Sequence, residues 1–287
     1  MTYSDSHYPS VVAVIVSFNG GIDILKCIQS IGPQVKGIFV IDNGSAAESL
    51  NLLQDLHGKN VITLTALPVN AGLAAALNLG VKKAMQHDAE WILTLDQDSI
   101  PAPDMVMKMI EYASFNSQIK SLSPNLVSRR GHMETLKVKE VKYAITSGNL
   151  VHRSIFEAVG FYNAGYFIDC VDFEFSLRIR KSGFSIHKIA TAKMIHEVGI
   201  QSKLPQIFRS FYSQHAPVRR YYMFRNVIFL IRSHFGFDFS FIFKLSFLYC
   251  IFLVLLILFE EQRLVNLKCI AQGLFDGVAG NDGPYAH

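Results

Sequence analysis

Hydrophobic positions in this chain gather into short runs separated by polar turns and by stretches with helical spacing. Val11-Val12-Ala13-Val14-Ile15-Val16 is wholly apolar and ends in Ser17-Phe18-Asn19-Gly20-Gly21, which predicts a buried strand and a turn. Apolar residues then recur at helical intervals from Ile22 to Ile31. Gly37-Ile38-Phe39-Val40-Ile41 reads as a second strand stopping at Asp42-Asn43-Gly44-Ser45, a helical stretch begins at Ser45, and Asn60-Val61-Ile62-Thr63-Leu64 reads as a third strand. Trp91-Ile92-Leu93-Thr94-Leu95 is a fourth buried run. Strands alternating with helices in this way predict an α/β fold, a mostly parallel sheet with right-handed crossovers. Ligands of such sheets collect at the carboxyl ends of the strands.

The later pattern is less regular. A helix is predicted from Pro101 to Phe115, and the basic stretch Ser128-Arg129-Arg130-Gly131-His132 reads as a surface loop. Thr146-Ser147-Gly148-Asn149-Leu150-Val151 fits either a turn at the mouth of a site or an ordinary strand entry. From Phe167 to Ile179 two periods compete: Val171, Phe173, Phe175, Leu177 and Ile179 alternate as in a strand, whereas Ile168, Val171 and Phe175 share a helical face. Acids in the first turn, a Glu174–Arg178 pair four residues apart, and Gly183 as a stop favour the helix. Phe184 to Ala190 reads as a strand, after which His196 leaves an apolar stretch.

Composition narrows the function. Half of the 287 residues are apolar and 17% are charged, enough for a large core. The net charge of +4 is too small to argue for nucleic acid, and no basic and aromatic RNA-binding signature is present. Cys27, Cys170, Cys250 and Cys269 lack metal-type spacing and are expected to be reduced thiols. The polar beginning, MTYSDSHYPS, has no apolar signal core and is expected to stay in the cytoplasm.

The chemistry concentrates at Asp96-Gln97-Asp98-Ser99, where the fourth run ends. If extended geometry persists through Asp98, the two carboxylates point the same way and can share one hard cation, Mg²⁺ or Mn²⁺, with a diphosphate. Asp, Ser and Pro101 describe a turn equally well. Asn70-Ala71-Gly72 opens a helix rich in small residues up to Gly80; it can pack close to a sheet or a ligand, and Asn70 is placed to cap it. The three acids Asp169, Asp172 and Glu174 could serve a site or merely complement a helix dipole. No Gly-x-Gly-x-x-Gly follows the first strand, so a dinucleotide fold fits poorly.

Taken in order, Ser17-Phe18-Asn19, Ile41-Asp42-Asn43-Gly44-Ser45, Asn70-Ala71-Gly72, Asp96-Gln97-Asp98-Ser99, Val171-Asp172-Phe173-Glu174 and His196 resemble the inverting family-two glycosyltransferases of the GT-A fold. The likeness spans residues 10–235. The Asp-Gln-Asp-Ser form and the segment from Arg219 to Asn226 look like bacterial rhamnosyltransferases of O-antigen and related polysaccharides. The resemblance implies that Ser17, Asn19, Asp42, Asn70, Gly72 and Asp96 bind the donor, with Asp42 at the base or ribose. It makes Asp98 a ligand of Mg²⁺ or Mn²⁺, with His196 as a further ligand, and Asp172 the general base. Glu174, Arg178 and Asp169 would support the helix or position the acceptor. The implied donor is dTDP-rhamnose, though relatives use UDP-galactofuranose or UDP-hexoses; a nucleotidyltransferase or a silent membrane adaptor with the same fold are the other readings.

Residues 1–235 then form the catalytic domain and 236–287 a hydrophobic membrane-associating region and tail. From Lys203 to Arg232 six Lys/Arg residues and no acid are interleaved with aromatics, and Phe239 to Phe259 follows with Lys244 as its single charge. Such a stretch can span a bilayer or lie in its surface. Attachment at the inner leaflet, on the cytoplasmic face of the bacterial inner membrane, is expected, which suits a polyprenyl-linked saccharide acceptor.

Overall fold

The computed structural model describes residues 9–127, 137–195, 216–259 and 262–285. Strand β1 (Val11–Ser17) is buried at every position because neither face of an all-apolar strand can be left in water. It pairs in parallel with β2 (Gly37–Asp42) and β4 (Trp91–Asp96), and β2 pairs in parallel with β3 (Thr63–Ala66). Alternate side chains divide two cores. Val11, Ala13 and Ile15 pack with helix α1 (Asp23–Ile31), and Val12, Val14 and Val16 pack with helix α3 (Leu73–Gln86). Helix α2 (Ala47–Gly58) joins β2 to β3. The small residues of α3 do what their size predicts: a Cβ on Gly80 would lie 2.3 Å from Val14 Cγ1.

Beyond β4 the sheet is mixed. Strand β8 (Asn149–His152) runs antiparallel to β4, and β6 (Ser121–Val127) lies antiparallel to β8 and parallel to β9 (Ile186–Ile195). Short strands β5 (Ile100–Pro101) and β7 (Lys139–Val141) pair antiparallel with β9. Among the described residues this makes one nine-stranded sheet, ordered β3-β2-β1-β4-β8-β6-β9-β5 with β7 also on β9. The remaining helices are α4 (Met105–Ser114), α5 (Arg153–Val159), α6 (Val171–Lys181), α7 (Pro217–His234), α8 (Phe239–Phe259) and α9 (Arg263–Ala279).

Several expectations change in detail. The third strand lies later than its apolar run, because α2 continues to Gly58 and Asn60 turns the chain with φ +57°, leaving Val61 exposed. Asn70 does not cap α3. The helix begins one residue beyond Gly72, and Asn70 Oδ1 instead accepts from Gly72 N at 2.9 Å. Of the stretch Phe167 to Ile179, the part from Val171 onward forms the helix α6, not a strand, and residues 167–170 form the loop before it. Strand β9 runs on to Ile195, past the predicted end at Ala190. His196 and the basic stretch Ser128 to His132 lie outside the described residues.

The C-terminal helices pack onto this unit. Asp238, just before α8, accepts from Phe241 N at 3.0 Å and pairs with Lys142 at 3.0 Å and with Arg180 of α6 at 2.8 Å. Along α8, Ile242, Leu245, Phe252, Leu255 and Leu256 are buried against the protein. Phe239, Phe243, Phe247, Ile251, Val254 and Leu258, spaced by three or four residues, form an exposed stripe on another face. Among the described residues α8 is the one helix long and apolar enough to cross a membrane.

Candidate active site

The strand carrying Asp96 ends there, and Gln97 and Asp98 form a turn closed by Ser99 N donating to the Asp96 carbonyl at 3.2 Å. Extended geometry therefore does not persist to Asp98. A second turn supports the first: Gly148 N donates to the Thr94 carbonyl at 2.7 Å with φ +82°, and Ser147 Oγ accepts from Asp96 N at 3.0 Å. The Thr146–Gly148 segment is thus both a turn at the site and the entry to β8. Gln97 folds back, its Oε1 accepting from Phe18 N at 2.9 Å and from Ser17 Oγ at 3.2 Å.

The opposite wall begins with two asparagines. Asn43 donates to Asn70 Oδ1 at 3.0 Å and accepts from Ala71 N at 2.9 Å, which fixes the approach to α3. Gly72 is needed here, since its φ is +88° and a Cβ would lie 2.6 Å from the Phe167 ring. Asp172 stands in the first turn of α6, where its Oδ1 accepts from Phe173 N at 2.9 Å. Desolvation, reinforced by the Asp169 and Asp96 carboxylates, pushes its pKa up to about 7 despite that bond. Asp169 is held by Arg219, whose Nη2 donates at 2.9 Å and whose Nε donates at 3.0 Å.

Asn70, Gly72, Asp96 and Asp98 line one cleft of about 540 Å³ together with Asp169, Asp172, Phe173, Arg219 and Tyr249. The acids distant in sequence do meet. Ser17, Asn19 and Asp42 are not among the residues that line the cleft. Asn19, at φ +50°, donates its N to Ser45 Oγ and accepts from Ala46 N. Asp42 is fully buried, its Oδ2 accepting from Ser45 N at 3.1 Å while Oδ1 has no hydrogen-bond partner. Glu174 and Arg178 also stand off the cleft. Arg178 Nε donates to Glu174 at 2.7 Å, and the guanidinium caps the carbonyls of Val159 and Phe161. Burial would raise the Glu174 pKa, but His234 and Arg178 outweigh it and hold the carboxyl low.

Sequence reasoning missed Gln97, Arg219 and Tyr249. Gln97 was visible as part of the Asp-Gln-Asp-Ser form, and Arg219 as the start of the segment to Asn226 and one of several basic residues flanking an apolar helix, neither with a role at the site. Tyr249 was hidden inside that helix. The donor set present, Asp96 and Asp98 at a strand end, consists of the hard oxygens that Mg²⁺ and Mn²⁺ take alongside substrate phosphates. Among the described residues no three His, Cys, Asp or Glu side chains gather into a closed cage.

Comparison with known proteins gives the family and the fold. Residues 12–124 match the family model described as Glycosyl transferase family 2. Over 245 residues the chain is 30% identical to the dTDP-rhamnosyl transferase RfbF of Shigella flexneri, covering 78% of this chain and 81% of that protein. It is 28% identical over 126 residues to a poly-beta-1,6-N-acetyl-D-glucosamine synthase of Staphylococcus epidermidis, covering 44% of this chain and 30% of that one. Among solved structures, GalNAc-T7 with UDP, GalNAc and Mn2+ superposes with a TM-score of 0.62 at 14% identity, covering 79% of this chain and 48% of that chain. S. aureus TarS in complex with UDP-GlcNAc gives 0.57 at 12% identity, covering 95% of this chain and 73% of that chain. The fold is GT-A, and the chain belongs to glycosyl transferase family 2.

Proposed function

We propose that this glycosyltransferase moves L-rhamnose from dTDP-rhamnose onto a lipid-linked saccharide, with inversion, at the cytoplasmic face of the bacterial inner membrane during cell-surface polysaccharide (O-antigen) synthesis. The observation that carries the reading is the single cleft in which Asp96 and Asp98 face Asp172. The similarity to a dTDP-rhamnosyl transferase over most of both chains supports the donor.

The nucleotide sugar enters where Asn43, Asn70 and Gly72 line the cleft. Asp42, beside cleft-lining Asn43 and with its Oδ1 buried without a partner, is assigned to the base or ribose. Asp98 and Asp96 would hold a divalent cation, with His196 as a further ligand. When bound, that ion supplies charge stabilisation for the departing diphosphate. The Mn2+ of the GalNAc-T7 structure favours this assignment. Asp172 accepts the proton of the attacking hydroxyl, from the face opposite the leaving group, and its raised pKa suits a base working near neutrality. Direct displacement through an oxocarbenium-like state then inverts the anomeric carbon. Asp169 and its partner Arg219 shape the acceptor side, and Glu174 with Arg178 steadies the helix bearing the base.

The acceptor reading draws on α8. On one side of this helix Ile242 and Leu245 join the catalytic core and Phe252 and Leu256 pack with Phe224 of α7 and Ile270 of α9, and another stripe of large apolar residues faces outward. That arrangement favours a helix lying in the membrane surface, with Lys244 reaching to the headgroups. A panel of nucleotide sugars with Mg²⁺ or Mn²⁺, read by release of nucleoside diphosphate, tests the donor. Turnover of dTDP-rhamnose above UDP-hexoses and UDP-galactofuranose is expected; preference for a UDP-sugar would replace the rhamnosyl assignment.

A further inference from the structure

Arg225 and Asn226, on the inward side of α7, have no exposed surface. Side chains this polar cost free energy when buried unless their donors are used. Here the donors go to backbone carbonyls. Arg225 Nη2 donates to Gly165 O at 2.9 Å, Nη1 to Gly283 O at 2.7 Å, and Nε to Asn226 Oδ1 at 3.1 Å. That last bond settles which way the amide faces. Asn226 Nδ2 is thereby turned to the loop before α6, donating to the carbonyls of Tyr166 at 2.8 Å, Ile168 at 2.7 Å and Asp169 at 2.9 Å.

The loop so held is strained. Phe167, Asp169 and Cys170 have φ of +60°, +64° and +58°, the left-handed region that residues with side chains avoid. Such backbone persists only where its surroundings over-determine it. The loop also spans the cleft. At one end Phe167 packs against Gly72 and its carbonyl accepts from Ala74 N at 3.3 Å, and at the other Asp172 follows Cys170 by two residues.

We propose that Asn226, oriented by Arg225, is a positioning residue for sugar transfer: it holds the 165–170 backbone, with its positive φ at Phe167, Asp169 and Cys170, and so sets Asp172 opposite the Asp96–Asp98 turn. The catalytic half of this statement rests on the reading of Asp172 as the base. Asn226→Asp keeps the shape but puts an oxygen against three carbonyl oxygens; Asn226→Ala removes the donors without adding repulsion and serves if the aspartate variant does not fold.

The test measures two things on the full chain. Amide hydrogen exchange over 165–172 is expected to quicken in the variant while β1 and β4 keep their protection, as for a local opening. At saturating dTDP-rhamnose and acceptor, kcat should fall about a hundredfold with donor KM and dTDP affinity nearly unchanged, the mark of a misplaced base. Unchanged exchange in a folded variant overturns the clamp. Quickened exchange with undiminished kcat, or a kcat loss matching the unfolded fraction, overturns the positioning role. If the wild-type chain turns over no nucleotide sugar, the functional reading fails by itself, and the exchange arm still decides whether Asn226 holds the loop.

Discussion

At the scale of single residues, the cleft places the Asp172 carboxyl where burial and neighbouring acids favour its protonated form. Asp172, desolvated and facing other acids, titrates near 7 instead of near the ordinary 3.8. The base form therefore populates as pH rises through neutrality, and the acidic limb of kcat/KM is expected near pH 7. Stability runs the other way. A carboxyl whose folded pKa is raised is tolerated best below its unfolded pKa, and that benefit is lost as pH climbs from about 4 through about 7. Asp172→Asn should accordingly be more stable than the wild type at pH 8, by at most roughly 4 kcal/mol, with the gap closing toward pH 4. Thermal unfolding across pH checks this, and a constant gap would contradict it. Asp98→Ala should abolish the metal dependence of dTDP binding measured by calorimetry, and unchanged affinity with and without Mn²⁺ would remove it as a ligand. The acids themselves stood out in the sequence as two carboxylates ending an apolar run, but a turn fitted them equally well, and Gln97 and Asp98 do form one. The roles of Gln97 and Arg219 were not readable, because each acts through a partner some fifty to eighty positions away.

At the scale of elements, close approach and buried pairing set the frame. The small-residue run of α3 predicted a helix pressed to the sheet, and Gly80 over Val14 is that contact. Gly80→Ala forces a shift in α3 and should destabilise by about 1–3 kcal/mol; chemical denaturation measures it. Helix α6 depends on Arg178, which joins buried Glu174 to two loop carbonyls. Arg178→Ala strands that acid in the interior and should cost about 3–5 kcal/mol, and a loss well below 1 kcal/mol in the same assay would mean the pair is dispensable. The helical nature of this segment was readable from its first-turn acids and the Glu174–Arg178 spacing despite the competing strand period. The strand at β3 was misjudged by its apolar residues, since Asn60 turns the chain and the pairing with β2 starts only at Thr63. Local hydrophobicity does not encode which residues find a partner strand.

At the scale of the molecule, the apolar C-terminal helix is part of the site as well as a surface. Tyr249 of α8 lines the catalytic cleft, while Phe239, Phe243 and Phe247 face outward. An exposed apolar stripe of this length marks an interaction surface. On the membrane attachment proposed above, replacing those three phenylalanines by serine should abolish flotation with vesicles containing anionic lipid while leaving dTDP binding intact; undiminished flotation, or none by the wild type, would overturn that role for the stripe. Sequence length and hydropathy revealed the helix. That one stripe of it packs on the catalytic unit was hidden, because almost every position is apolar and the pattern does not say which side meets protein.

The account stands on the convergence of Asp96, Asp98 and Asp172 on one reaction centre, and rates of sugar transfer from dTDP-rhamnose by the wild type and by Asp172→Asn, compared at pH 8, test it most directly. The wild type should form a product of inverted anomeric configuration, and the variant should bind dTDP as tightly yet transfer about a hundredfold or more slowly, the usual range for loss of a general base. Full turnover by the asparagine variant, or retention of configuration in the wild-type product, would contradict it.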